Sequence, residues 1–114
     1  MTVHWEKIES TSDLKRMLKQ SAQQPVLFFK HSLTCPISAQ AFSEFKQYLE
    51  SAESKRAHNC VIVVQSAREA SQKLAELVKV EHESPQAIVV RNGRATWSES
   101  HFDITSDRLI SAVS

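Results

Sequence analysis

The chain has 114 residues, 41% of them hydrophobic and 24% charged, the make-up of one soluble globular domain spanning residues 1–114. Its 14 basic and 13 acidic side chains nearly cancel, to +1, and no basic stripe runs along it, so nucleic acid and an anionic membrane are not expected partners. The longest apolar runs, about five residues, fall far short of the roughly 20 needed to span a bilayer, and the single glycine, Gly93, excludes glycine-rich phosphate and dinucleotide loops.

In chain order, residues 3–8 mix apolar and polar side chains and read as a short edge strand. Ser10-Thr11-Ser12-Asp13 is a cluster of helix N-cap types. Leu14, Met17, Leu18 and Ala22 follow at helical spacing, until Pro25 ends the helix by turning Gln24 away from helical angles. Val26 to Lys30 reads as a buried strand and His31-Ser32-Leu33 as a loop. A helix opened by Pro36 carries Ala41, Phe42, Phe45 and Leu49 on one face and runs to about Ala52. Glu53 to Asn59 is a polar connection. Cys60 to Val64 is nearly all β-branched, as a central parallel strand covered on both faces would be.

Ser66-Ala67-Arg68-Glu69 matches a capping box, opening a helix with Leu74, Leu77 and Val78 that runs to about Val80. Ser84-Pro85 precedes a strand from Gln86 to Arg91. Asn92-Gly93 predicts a tight hairpin, with Arg94 to Ser98 as the returning strand. Ser100 to Asp103 reads as a loop, and Thr105 as the cap of a last helix with Leu109, Ile110 and Val113 apolar. The order is β-α-β-α-β-α-β-β-α, an α/β fold: a mixed central sheet with helices on both faces.

The chemistry concentrates at Thr34-Cys35-Pro36-Ile37-Ser38, where the strand from Val26 gives way to a helix. Proline suits the first helical position, because its missing N–H would have no partner there. The free N–H groups of that turn and the positive end of the helix dipole favour a thiolate at Cys35. The N-terminus has no apolar signal-peptide core, so a cytoplasmic monomer is expected, and two cysteines in a reducing compartment are not expected to form a structural bridge.

A cysteine at a helix start after a strand, and a Ser-Pro just before the hairpin strand, together resemble the thioredoxin superfamily. That resemblance implies a thioredoxin-like fold with Ser84-Pro85 cis and adjacent to Cys35. Lys30-His31-Ser32, Thr34-Cys35-Pro36-Ile37-Ser38-Ala39, His82-Glu83-Ser84-Pro85-Gln86-Ala87, Asn92-Gly93 and Trp97 look more closely like the monothiol bacilliredoxins, the YtxJ family, over about Ser12 to Ile110. The resemblance implies a thiol–disulfide oxidoreductase that removes bacillithiol from mixed disulfides on client proteins. Bacillithiol enters as co-substrate, with no cofactor and no metal.

The residues agree with a one-thiol scheme. The position three after Cys35, where a two-cysteine enzyme keeps its resolving thiol, is Ser38. A hydroxyl can donate to a thiolate and cannot close a disulfide. Cys35 is then expected to take over the small thiol and wait for a second thiol from solution. Cys60 sits four strand steps, roughly 13 Å, further from the active edge, beyond the ~7 Å that a disulfide allows, and reads as a small core hydrophobe.

Several side chains have two readings. Thr34 either joins the site or only caps the helix. Lys30 and His31 either attract the carboxylates of bacillithiol's malyl group or raise the thiolate content, or else are solvated loop residues. His82 and Glu83 shape the Ser84-Pro85 loop, while His101 lines the site or lies on a surface loop. A metal site from His31, Cys35 and His82 or His101 has no spacing signature. No Asp lies between Val26 and Leu33, where thioredoxins keep a buried one, so a proton acceptor must be water or another group. Two other functional readings stay open: a monothiol-glutaredoxin-like iron–sulfur scaffold, although the chain lacks Cys-Gly-Phe-Ser and a glycine pair, and a non-catalytic thioredoxin-fold module with Cys35 as a redox-sensitive switch.

Overall fold

The computed structural model describes residues 5–114. Five strands form one sheet in the order β1-β3-β2-β4-β5. They are β1 (Glu6–Lys7), β2 (Val26–His31), β3 (His58–Val63), β4 (Gln86–Arg91) and β5 (Arg94–Ser100). β3 runs parallel to both β1 and β2, while β4 is antiparallel to β2 and β5 antiparallel to β4. Helices α1 (Thr11–Gln20), α2 (Pro36–Leu49), α3 (Arg68–Val78) and α4 (Ser106–Val113) cover the sheet, with short 3₁₀ turns at Glu53–Arg56 and His101–Asp103. The edge strand expected over residues 3–8 is observed at Glu6–Lys7; residues 3 and 4 lie outside the described residues.

Strand periodicity divides the core in two. Leu27, Phe29, Val61, Val63, Ala87 and Val89 pack with Phe45, Tyr48 and Leu49 of α2 and Leu109 and Val113 of α4. Val26, Phe28, Cys60, Ile62, Ile88 and Val90 pack with Leu14 and Met17 of α1 and Ala70, Leu74 and Val78 of α3. Because β2, β3 and β4 are buried on both faces, they read in sequence as apolar runs without alternation. Each large side chain so buried contributes about 1.5–3 kcal/mol.

Several element boundaries differ from the sequence expectation, each for a local reason. α1 stops at Gln20 rather than reaching Ala22, which is exposed. Ser21 instead is buried, its carbonyl and hydroxyl accepting the amides of Asn92 and Gly93 from the hairpin turn. That turn has φ 52° at Asn92 and 75° at Gly93, the left-handed pair that a two-residue hairpin requires. α2 ends at Leu49, and the polar stretch after it winds into a 3₁₀ turn before His58 and Asn59 join β3. Cys60 is therefore not the first residue of its strand. α3 ends at Val78, where Lys79 takes a left-handed cap.

The capping box at Ser66–Glu69 does not form. The N-cap is Ala67, with no side-chain cap, and Ser66 instead donates its amide and hydroxyl back to the Val63 carbonyl. At the C-terminal helix, Thr105 does cap as expected, accepting from the Arg108 amide. β5 runs on to Ser100, and the 3₁₀ turn takes the place of the expected loop. Among the described residues no helix is long and apolar enough to cross a membrane.

Candidate active site

Cys35 is the N-cap of α2, with φ −107° and ψ 121°, and Pro36 fills the first helical position. Its carbonyl accepts the Ala39 amide, while no side chain caps the helix. The thiol is half-buried. It thus stands beside the amides of Ile37 and Ser38, which by their place in the first turn lack intrahelical acceptors. Thr34 is not the cap. Its hydroxyl instead accepts from Gln65 Nε2 at 3.4 Å. Gln65 also donates to Ser32 Oγ at 2.8 Å and accepts the Leu33 amide at 3.2 Å, so it staples the loop that delivers the cysteine. Sequence reasoning passed over Gln65. The signal was its place two residues beyond the end of β3, a parallel neighbour that ends at the same edge as β2.

Ser38 lies one turn into α2, fully buried. Its oxygen accepts the Ser32 amide at 2.9 Å and lies 2.8 Å from His31 Nδ1. The hydrogen bond expected from Ser38 to the Cys35 sulfur is absent; its partners are Ser32 and His31. His31 is not a loop residue but the last residue of β2, on the face that carries Phe29. Its ring stacks on Phe42 at 4.6 Å and on Phe29 at 5.9 Å. Phe29 in turn stacks on Phe45 at 5.0 Å, nearly parallel. Burial in this stack holds His31 below the ordinary histidine range.

Lys30, the neighbour of His31 on β2, points to the other face and is neither solvated nor in a loop. It is 0% exposed. Its Nζ lies 3.0 Å from His82 Nδ1, which also lies 3.3 Å from Ser71 Oγ on α3. Burial brings the Lys30 amine down to about 8. Burial, and then the Lys30 charge, lower His82 as well, against an upward pull from Glu83. An amine so enclosed has no free face to offer to a carboxylate in solution, so the carboxylate-binding reading of Lys30 does not fit its position.

The Ser84–Pro85 peptide is cis. The register pairs Lys30 with Gln86, which brings Pro85 beside the end of β2 that leads into Cys35. Three contacts shape this loop. Buried Gln86 donates to the Glu81 carbonyl at 2.9 Å and accepts the Glu83 amide at 3.4 Å, and Lys30 reaches His82. The His101 amide donates to the Pro85 carbonyl at 3.1 Å, and its ring lies 3.9 Å from the Glu83 carboxylate, so His101 is tied to the loop rather than detached from it. Ser84 Oγ is buried with no partner. Leu33 and Phe102 present large exposed apolar surface on the loop before Cys35 and on the turn after β5. Among the described residues no group of three or more His, Cys, Asp or Glu side chains is placed to hold a metal, so His31, Cys35, His82 and His101 form no such group.

Cys60 lies on β3 opposite Phe28, fully buried, on the sheet face covered by α1 and α3. Burial, with the Glu6 carboxylate second, pushes its thiol up to about 12. The arrangement therefore offers one accessible thiol at a helix start and one sealed in the core.

The family model of the monothiol bacilliredoxins, BrxC, matches residues 6–109. A solved structure described as having a thioredoxin fold, and assigned provisionally to the oxidoreductases, is 33% identical, with 94% of this chain and 91% of that one covered and a TM-score of 0.82. Thioredoxin from Malassezia sympodialis, 12% identical, covers 98% of this chain and 90% of its own with a TM-score of 0.80. Fasciola hepatica thioredoxin, also 12% identical, covers 95% of each chain with a TM-score of 0.74. At that identity the two thioredoxins speak to the fold alone.

Proposed function

The chain belongs to the monothiol bacilliredoxin family, a thioredoxin-like family of thiol oxidoreductases, and from that membership we propose that it removes bacillithiol from mixed disulfides on client proteins. The observation that carries the one-thiol mechanism is Ser38. A hydroxyl stands buried where a dithiol enzyme needs its second sulfur, and Cys60 is on the wrong face of the sheet to replace it.

Cys35 as thiolate attacks the bacillithiol sulfur of the mixed disulfide. A new Cys35–bacillithiol disulfide forms, the old sulfur–sulfur bond breaks, and the client leaves as a thiolate that takes a proton from water. A second thiol from solution then attacks the bacillithiol sulfur of that adduct, Cys35 leaves as a thiolate, and the two small thiols depart joined as a disulfide. The amides at the start of α2 favour the attacking thiolate. Pro36 keeps the first turn regular, and Thr34 steadies the approach loop through Gln65. The Ser84-Pro85 loop receives the substrate backbone beside Cys35. His31 acts at the sulfur's side of the sheet, and Lys30 acts from beneath the loop through His82. The fitting partners are bacillithiolated proteins and the free small thiol, met in the cytoplasm by a monomer.

The test is to incubate a bacillithiol-modified client with the protein and follow intact masses. Gain of one bacillithiol on Cys35, with the client released as free thiol, is the expected result. No transfer, while folded Cys35 still reacts with iodoacetamide, would rule out bacillithiol as the group carried.

A further inference from the structure

We propose that Ser38 is a two-position proton switch set by His31: its hydroxyl donates to His31 Nδ1 when Cys35 is a thiol or a disulfide, and to the Cys35 sulfur when Cys35 is a thiolate. The proposal rests on the reading of Cys35 as the reacting thiol. It deepens that reading by giving the site the proton acceptor that a sequence without Asp between Val26 and Leu33 leaves unassigned.

A hydroxyl has one hydrogen to give and two lone pairs to accept with. One lone pair of Ser38 Oγ is taken by the Ser32 amide at 2.9 Å. His31 Nδ1, at 2.8 Å, then has two choices. If Nδ1 carries no hydrogen, the hydroxyl donates to it, and nothing remains for the sulfur. If Nδ1 carries one, it donates into the second lone pair, and the hydroxyl hydrogen is released. The acceptor we assign to it is Cys35, the N-cap three residues earlier, a sequence spacing that puts Cβ atoms at roughly 5–6 Å on a helix. The tautomer of one imidazole thus decides where a buried hydroxyl points.

The surroundings suit such a switch. Phe42 and Phe29 hold the ring by stacking, so Nδ1 stays aimed at Ser38. Nε2 has no protein partner among the described residues, and the ring is only partly buried, so water can exchange its proton. The Lys46 ammonium lies over the Phe42 ring of this stack, 5.3 Å from its centroid. Burial keeps the imidazole neutral near pH 7, which a tautomer switch requires.

The protons balance. On forming the thiolate, the S–H proton of Cys35 passes to Ser38 Oγ, the hydroxyl's own proton passes to Nδ1, and the proton on Nε2 goes to water. Cys35 gains a negative charge, solvent gains one proton, and His31 ends neutral with its hydrogen on Nδ1. When Cys35 enters a disulfide there is no charge to receive the hydroxyl. The Nδ1 proton is lost, Nε2 takes one from water, and the hydroxyl returns to Nδ1.

Two measurements test this on the whole protein. The first reads the His31 side-chain ¹⁵N shifts in wild type. Nδ1 should be proton-bearing at a pH where Cys35 alkylation has reached its plateau, and proton-free after Cys35 is capped with iodoacetamide. The same tautomer in both forms would overturn the switch. The second compares iodoacetamide rates for His31→Phe, which keeps the ring stack, Ser38→Ala and the double variant at pH 7. Ser38→Ala should be slower by about tenfold, the scale of one lost hydrogen bond to a charged group; His31→Phe, which frees the hydroxyl for the sulfur, should not be slowed, and the double should match Ser38→Ala. Losses that multiply to about a hundredfold would mean two independent effects and no switch. Alkylation uses no bacillithiol, so a coupled His31–Ser38 pair with no bacillithiol transfer would count against the proposed function alone.

Discussion

The two cysteines of this chain lie about as differently as one small domain allows. Cys35 caps a helix at the edge of the sheet, half-buried, beside amides that have no other acceptor. Cys60 sits three residues back from that edge in register, opposite Phe28, sealed under α1 and α3 and pushed up to about 12 by burial. The lesson is that a thiol's environment follows its position relative to the sheet, not the residue type. Lys30 repeats it on the same face as Cys60: burial there favours whichever form is neutral, so a thiol keeps its proton and an amine is brought down to about 8. One residue further along β2, His31 falls on the opposite face and meets Ser38 of α2, the helix that Cys35 caps.

The largest expected effect tests that contrast directly. Cys35→Ala should abolish thiol exchange, while Cys60→Ala should keep at least about half the rate and cost about 1 kcal/mol of stability from a small core truncation. A folded but inactive Cys60→Ala would break the comparison. Next, iodoacetamide should label Cys35 in the native protein and reach Cys60 only through unfolding. The two rates should then differ by at least about a thousandfold, because an opening of several kcal/mol precedes the second. Equal labelling in peptide mass maps would show that the sheet does not seal Cys60.

A gentler change moves a thiol into the reacting side. Ser38→Cys should let Cys35 close an internal disulfide, read as loss of two hydrogens by intact mass; recovery of mixed disulfides only would show that the first turn of α2 cannot bring the two sulfurs together. The smallest effect concerns Lys30. Lys30→Met should stabilise the fold at pH 7 by on the order of 1 kcal/mol, since a buried charge gives way to an apolar side chain. The sign follows from linkage. The folded amine at about 8 lies below its unfolded value of 10.5, so the unfolded chain binds more protons between them and stability rises with pH across that window. The advantage of Lys30→Met in urea midpoints should therefore shrink from pH 8 towards 10.5. An advantage constant across that range would mean that Lys30 is not buried as a charge.

Much of this was legible in the chain itself. The apolar runs at Val26–Phe29, Cys60–Val64 and Gln86–Val90, the Asn92-Gly93 turn and Pro36 after Cys35 specify the strands, the hairpin and the helix start. They do so because periodicity and backbone preference are local properties. The same local signals misplaced the caps. Ser66 and Thr34 are good N-cap residues by type, yet Val63 and Gln65 offered their hydroxyls other partners, so the helices begin at Arg68 and Pro36 without them.

What only the tertiary structure decided is how adjacent residues are divided between environments. Lys30 and His31 look alike in sequence, as two polar residues after an apolar strand. Strand alternation sends one down to His82 and Ser71 and the other up to Ser38 and Phe42. Ser38 was legible as the residue in place of a second thiol, but its partners were not, because Ser32 and His31 reach it only once β2 and α2 have packed. Sequence determined that one sulfur would stand at a helix start. Packing determined which groups face it, because hydrogen bonds between side chains distant along the chain exist only after the sheet has fixed their register and their face.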